Sequence, residues 1–357
     1  MRVLLVCDWH LKYSAALAMA LLRSGTDVAF LCRTHSLEFG NSQEELDGLL
    51  AAVEESGAEL LLLPGRVSSA RSLPDVVGTF RQVRRWRPQV VHAQENWDPR
   101  LLAGVWRYPL VVTVHDPALH LGEPTTPRVE EAVWRGWLRA ADRVVVHGER
   151  LRELLPRSVP RERIAVIPHG TELQPEPHPP PRGRTVLLYG RLAKYKGLGV
   201  LLDAMEIIWR QRPDVRLLVY GKGPEAQMLP DDPRIEASIG YVPEAMEDAM
   251  FARASLVVLP YIAGSQSGVG VRSLARGIPT IVTDVGSLPE LALDESFLVP
   301  PKDPEKLASA LIAHLDHGLE LRREVLRFAR SRFSWDVVSS SSLELYEEVL
   351  RPALDHR

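Results

Sequence analysis

The chain is short of cysteine, with two in 357 residues, Cys7 and Cys32. Both fall on segments that read as the first two strands, so buried, reduced thiols suited to a reducing cytosol are expected rather than a disulfide framework. No apolar run is long enough to span a bilayer, and with the first strand at Arg2–Cys7 no leader is expected. A soluble cytoplasmic protein is therefore expected, with peripheral membrane contact left open. Charge of one sign is also lacking: the net of −3 gives no general reason to expect nucleic acid. Gly-x-Gly-x-x-Gly does not follow strand 1, which argues against a dinucleotide-binding oxidoreductase.

What is present is alternation. The length of 357 residues fits two domains better than one, and the 45% hydrophobic content is enough for ordinary cores. Apolar runs at Arg2–Cys7, Asp27–Cys32, Leu60–Leu63, Val90–His92, Leu110–Val114, Arg143–Val146 and Ile164–Ile167 alternate with helical stretches. Such βαβ repetition predicts a doubly wound parallel sheet. A proline-dense stretch from Gln174 to Arg182 then excludes helix and central strand and reads as a stiff linker. Alternation restarts at Thr185–Tyr189 and continues through Val215–Tyr220, Ile235–Ala237, Leu256–Leu259 and Thr280–Thr283. The expected division is 1–173, a linker at 174–184, and 185–334. The final segment, 335–357, holds a helix from about Trp335 to Leu350 that could pack back on the first domain.

Two such α/β domains would face each other across a cleft, with ligands bound beyond the carboxyl ends of their strands. The most informative stretch, Gly190-Arg191-Leu192-Ala193-Lys194-Tyr195-Lys196-Gly197, lies on a strand-to-helix turn of that kind. A helix N-terminus already favours anions, and Arg191 and Lys196 add full charge. A phosphate or diphosphate is the expected guest.

Further segments fall into a specific order. They are Val90-Val91-His92, Thr113-Val114-His115-Asp116, Ala141–Val146 followed by Glu149–Leu155, and Ile167-Pro168-His169-Gly170. After Gly190-Arg191-Leu192 and Lys196-Gly197 come Tyr220–Pro224, Ile239-Gly240-Tyr241-Val242, Ala275–Pro279 and Asp284-Val285-Gly286. In this order and spacing the chain resembles, over nearly its whole length, the GT-B-fold retaining glycosyltransferases of family 4. Ser265-Gln266-Ser267-Gly268-Val269 is similar to a subset of that family.

The resemblance implies two Rossmann-like domains facing a cleft. The first would bind the acceptor and the second the nucleotide sugar. It implies transfer of a hexose-type sugar from a nucleoside-diphosphate donor, UDP- or GDP-linked, to a hydroxyl of a glycan, lipid-linked or natural-product acceptor. This is the chemistry of polysaccharide or glycoconjugate biosynthesis. No metal and no cofactor is implied. Arg191 and Lys196 would stabilise the leaving diphosphate, and His115 would lie near the sugar. Gly190, Gly221, Gly223, Tyr241, Val242, Ser265, Gln266, Ser267, Gly268, Val269 and Arg272 would line the donor site. Variable loops at Asp8–Tyr13, Thr34–Gln43 and Glu95–Arg100 would shape the acceptor pocket.

The chain departs from the family pattern in one place that bears on chemistry. Two glutamates eight positions apart are usual, one for the donor sugar and one for the ribose, and here Gly264 and Arg272 occupy their positions. No glutamate lies between Ala252 and Val285. An arginine cannot accept hydrogen bonds from ribose hydroxyls. This motivates a second expectation, a catalytically silent protein of the same fold that binds a glycan or a partner enzyme. Another reaction on a sugar nucleotide, such as epimerisation, would need an acid–base pair, and no convincing carboxylate pair is apparent. Asp231-Asp232 reads as a solvated turn. Arg81, Arg84, Arg85 and Arg87 flank Trp86 on a helix whose solvated face is expected to be ordinary surface ahead of an anionic-lipid contact.

Overall fold

The computed structural model describes residues 1–35, 38, 42–64, 73–117 and 128–351. The Thr34–Gln43 loop and the end of the 335–357 segment therefore lie partly outside the described residues. Seven strands form the first sheet: β1 (Arg2–Cys7), β2 (Asp27–Arg33), β3 (Glu59–Leu63), β4 (Val90–Gln94), β5 (Leu110–Thr113), β6 (Arg143–Val146) and β7 (Ile164–Val166). Six form the second: β8 (Thr185–Tyr189), β9 (Arg216–Gly221), β10 (Ile235–Ile239), β11 (Leu256–Leu259), β12 (Thr280–Thr283) and β13 (Leu298–Val299). Both are parallel, in the orders β3-β2-β1-β4-β5-β6-β7 and β10-β9-β8-β11-β12-β13. Strands covered by helices on both faces must be apolar throughout, and Val3 to Cys7 of β1 are wholly buried. Cys7 and Cys32 stand side by side in register as free, buried thiols.

The helices are α1 (Leu11–Arg23), α2 (Gln43–Glu55), α3 (Leu73–Trp86), α4 (Pro99–Val105), α5 (Arg128–Ala140), α6 (Leu198–Gln211), α7 (Glu244–Ala252), α8 (Gly268–Leu274), α9 (Pro304–His314), α10 (Leu319–Phe333) and α11 (Trp335–Leu350). Sequence periodicity starts α1 at about Ser14, whereas the helix begins at Leu11. His10 in the left-handed region, φ 57°, turns the chain into it, and the Glu38 carboxylate accepts the N–H of Leu11 at 2.5 Å. Strand β13 has two residues and is too short to leave a periodic signal. Trp86 on α3 packs against the first core, leaving Arg81, Arg84 and Arg85 as a solvated face.

Helix α11 belongs to the first core. Trp335, Val338, Leu345 and Tyr346 share one face and pack with Val3, Leu5, Leu11, Ala18 and Phe30. The chain crosses between the halves twice at one place: Thr171 donates its N–H to the Phe333 carbonyl at 2.9 Å and bridges Ser334. The proline-rich stretch after the first crossing is tied to the second half. Gln174 and His178 donate to the carbonyls of Ala275 and Arg276 at 3.0 and 2.9 Å. Arg322, fully buried, donates to the carbonyls of His178 and Ala254 at 3.1 and 2.6 Å. The switch points where strand order reverses lie between β1 and β4 and between β8 and β11. A ligand crevice opens at the carboxyl ends of such strands.

Candidate active site

The wall built by the first sheet comes from residues just past five strand ends. Asp8 follows β1, Glu95 follows β4, His115 and Asp116 follow β5, His147 follows β6, and His169 follows β7. Asp8 is buried and accepts the N–H groups of Trp97 and Asp98 at 3.1 and 2.9 Å. It therefore holds the Glu95–Arg100 loop against strand 1. Burial, the largest influence, lifts its pKa to about 6. Glu95 accepts the backbone N–H of His115 at 3.0 Å, and burial, then the nearby Asp116, raises its pKa to about 8. Asp8 and Glu95 stand past the ends of β1 and β4, which are neighbours in the sheet. They are remote in sequence, and the strand order brings them together.

Around them lies a cluster of rings. His10 stacks on His115 with centroids 3.9 Å apart. Tyr13 packs against His115, His169 and Trp335 at 4.8, 4.7 and 5.0 Å. It belongs to this interior cluster, while its neighbour Trp9 remains 37% exposed. His115 Nδ1 lies 3.0 Å from His147 Nε2, and His147 Nδ1 meets the Ile167 carbonyl at 2.9 Å. On its other side His115 Nε2 meets the Gln94 carboxamide at 3.0 Å. His92 continues the chain, 3.1 Å from Gln94, 2.7 Å from Thr113 Oγ1 and 2.5 Å from the Tyr346 hydroxyl on α11. Burial pulls the pKa of His147 to about 4 and that of His92 to about 3. His115 and His169 are lowered by the same cause, so these rings are neutral at neutral pH.

The second wall begins at the Gly190–Gly197 turn. Gly190 has φ 118° and Arg191 is exposed. Lys196 hydrogen-bonds the Tyr261 hydroxyl, with Nζ 3.9 Å from the Tyr261 ring centroid and 5.0 Å from that of Tyr195. Burial draws its pKa down to about 8. Tyr261 in turn shares a 2.8 Å hydrogen bond with Ser267, which caps α8. Gly221 and Gly223 have a reason within the protein. A Cβ at Gly221 would stand 1.8 Å from the Gly190 carbonyl oxygen, and one at Gly223 2.3 Å from that of Leu192. Their bareness lets the loop after β9 seat the Gly190 turn. Val242 is buried beside this loop and Tyr241 is 60% exposed.

The Ser265–Val269 segment faces the first wall. Ser265 Oγ donates to Asp116 Oδ1 at 2.7 Å, a hydrogen bond between the two halves. A Cβ on Gly268 would lie 3.9 Å from His169 Nε2, so that ring also faces this segment. Gln266 Oε1 and His169 Nδ1 are buried polar atoms without a hydrogen-bond partner among the described residues. Val269 is buried. Arg272 is paired with Glu247 of α7, Nη1 to Oε1 at 2.7 Å, and the Tyr189 hydroxyl donates to the same oxygen at 2.7 Å. A buried carboxylate thus stands beside the position where sequence reading found a cation and no acid. Glu247 lies outside the 252–285 window, on a helix with no motif to mark it. Asp232 pairs with Arg234 at 2.5 Å on a surface turn.

The structure therefore brings His115, Lys196, Ser265, Ser267, Gly268 and Arg272 to facing walls. Asp116 and Glu95 lay in segments read from sequence without a role of their own, and Gln94, His147 and Glu247 were not found from sequence. Each is a polar residue at a strand end or on a helix, and its neighbours are defined by the sheet order.

Two family models match the chain in succession, "Glycosyltransferase Family 4" over residues 12–175 and "Glycosyl transferases group 1" over residues 183–317. The phosphatidyl-myo-inositol mannosyltransferase of Mycobacterium leprae is 29% identical over 75% of this chain and 76% of its own length. The D-inositol 3-phosphate glycosyltransferase of Paenarthrobacter aurescens is 26% identical over 95% of this chain and 92% of its own. The structure of Anabaena Alr3699/HepE in complex with UDP-glucose superposes with a TM-score of 0.68 and 14% identity, covering 98% of this chain and 100% of that one. Each parallel-sheet half is thus matched by its own glycosyltransferase model, and the two halves together have the GT-B fold.

Proposed function

We propose that the protein is a retaining glycosyltransferase that moves a sugar from a nucleoside-diphosphate sugar to an acceptor hydroxyl without a metal. One observation carries the reading: half-buried Lys196, held by Tyr261, whose hydroxyl is shared with Ser267, lies on the wall that Ser265 joins to Asp116 beside His115. As the glycosidic bond breaks, negative charge grows on the leaving phosphate oxygens. Fixed cations at Arg191 and Lys196 stabilise that state more than the ground state. Low local dielectric strengthens a buried ammonium's effect. The UDP-glucose held by Alr3699/HepE supports a nucleotide sugar as donor. The names of both inositol-directed relatives make a cyclic polyol or its lipid-linked form the first acceptor to try.

The test is incubation with UDP-glucose and GDP-mannose, with and without inositol acceptors and with EDTA present. Release of a nucleoside diphosphate, lost in Lys196→Ala and indifferent to EDTA, is expected. The transferred sugar should keep the donor's anomeric configuration; an inverted product removes the retaining assignment. The second reading is a catalytically silent binding protein, favoured by Arg272 where the family has an acid. It prevails if neither nucleotide nor sugar nucleotide binds at millimolar concentration. A cytoplasmic location is part of the proposal; among the described residues no helix is long and apolar enough to cross a membrane.

A further inference from the structure

The protons of the His115–His147 pair can be counted from their neighbours. A carbonyl oxygen only accepts, so His147 Nδ1, 2.9 Å from the Ile167 carbonyl, carries a proton. In the neutral ring Nε2 is then a bare acceptor. His115 Nδ1, 3.0 Å away, must donate to it. Neutral His115 is left with a lone pair on Nε2, which needs a donor. The neighbour there is the Gln94 carboxamide, placed with its oxygen 3.0 Å from His115 Nε2. Two lone pairs would face each other.

The oxygen and nitrogen of a carboxamide are assigned from the network around them. Turning the Gln94 amide over removes the conflict without moving any ring. Its NH₂ then donates to His115 Nε2, and its oxygen accepts from His92 Nε2–H at 3.1 Å. His92 Nδ1 becomes the acceptor for the Tyr346 hydroxyl at 2.5 Å. Thr113 Oγ1, 2.7 Å from His92 Nε2, accepts a share of the same N–H. Each ring nitrogen along the line now meets a complementary partner. The alternative adds a proton to the pair. It would charge rings only 2% and 6% exposed, with His10 stacked on one and His169 beside the other. A buried polar network is stable when each member is satisfied.

We infer that His147 is a positioning residue: its Nε2 fixes His115 as the Nδ1–H tautomer, and with Gln94 it occupies both ring nitrogens of His115. Both ring nitrogens of His115 are therefore engaged, and neither is left to move a proton. The consequence for turnover rests on the glycosyl-transfer reading. The tautomer itself does not.

The experiment is a long-range ¹H–¹⁵N correlation on ligand-free, ¹⁵N-histidine-labelled full-length protein at pH 7.5. Signals are assigned with His92→Gln, His115→Gln and His147→Gln. Nδ1–H at His147 and His115, with Nε2–H at His92, is expected. Nε2–H at His115, or a doubly protonated ring at 115 or 147, overturns the inference. His147→Gln keeps an acceptor in reach and should hold the His115 tautomer, whereas His147→Leu should shift it to a mixture. An unchanged His115 signal in folded His147→Leu also overturns it. If that variant does not fold, the wild-type spectrum decides. With UDP-glucose as donor, His147→Leu should lose about tenfold in kcat at unchanged KM, with His147→Gln restoring most of it. If both variants lose turnover equally, the positioning role is lost even where the tautomer stands.

Discussion

Ser265 of the second half donates its hydroxyl to the Asp116 carboxylate of the first at 2.7 Å. Ser265 is 2% exposed, and its own carbonyl accepts the N–H of Ser287 at 2.8 Å. The bond therefore joins two braced loops at the centre of the cleft. A second contact between halves, Arg150 with Asp284, is an exposed ion pair. Hydrogen bonds to charged groups contribute about 1.5–3 kcal/mol, while exposed pairs contribute about 0–1 kcal/mol. Ser265→Ala should therefore lower kcat/KM for the donor roughly tenfold, and Arg150→Ala should leave it within about twofold. Equal losses in the two variants would show that the buried bond has no special part in the site.

Lys196 makes a prediction in pH. Burial depresses its pKa to about 8, so the ammonium is present below that value and is lost as pH rises through it. Charge stabilisation of the leaving group should disappear over the same range. Turnover in the wild type should fall above pH 8 with a single ionisation, and Lys196→Ala should be flat there and slower by about a hundredfold or more. A variant whose pH profile still breaks near 8 would assign that ionisation to another group.

Much of this architecture was legible in the chain, and the reasons differ by level. Parallel strands buried on both faces read as apolar runs, so β1, β8 and their neighbours stand out. The two-residue β13 leaves no run to read. The Gly190–Gly197 turn holds its two cations in contiguous residues, and Lys196 sits in the cleft wall. The Glu247–Arg272 pair spans 25 positions and two helices, so neither residue announces the other. His92, Gln94, His115 and His147 are scattered over three strand ends, and strand order alone makes them a line.

The Arg272–Glu247 pair alters the meaning of a charge reversal. A carboxylate at 272 would stand against buried Glu247, whose partner at 2.7 Å would be gone. Arg272→Glu should destabilise the fold by more than Arg272→Gln. Breaking a fully buried pair costs about 3–5 kcal/mol, but Arg272 is 38% exposed, which reduces the expected loss to about 1–2 kcal/mol for Arg272→Gln. The double variant R272E/E247R should recover part of the loss seen with R272E. Unfolding midpoints in urea for the wild type, R272E, E247R and R272E/E247R form the cycle, and strict additivity would mean that the pair does not interact.

The buried acids and histidines pull stability in opposite directions, and one pH window separates them. His147 and His92 hold pKa values of about 4 and about 3 when folded, so below the unfolded value near 6.5 the unfolded chain binds more protons. Stability then falls as pH drops, by about 1.4 kcal/mol per unit for each ring. Glu95 is raised to about 8, so between the unfolded value near 4.5 and that point the folded chain holds the extra proton. Its contribution to stability falls as pH rises through the same interval. Between pH 6.5 and 8 the histidines are silent and Glu95 sets the slope, with Lys196 entering only near pH 8. The wild type should lose about 2 kcal/mol across that window, and Glu95→Gln, which can still accept the His115 N–H, should lose little. Below pH 6.5 the same variant should lose stability more steeply than the wild type, because the opposing slope has been removed. Parallel stability curves for the two proteins from pH 5 to 8 would place the Glu95 proton in both states alike and refute the raised pKa.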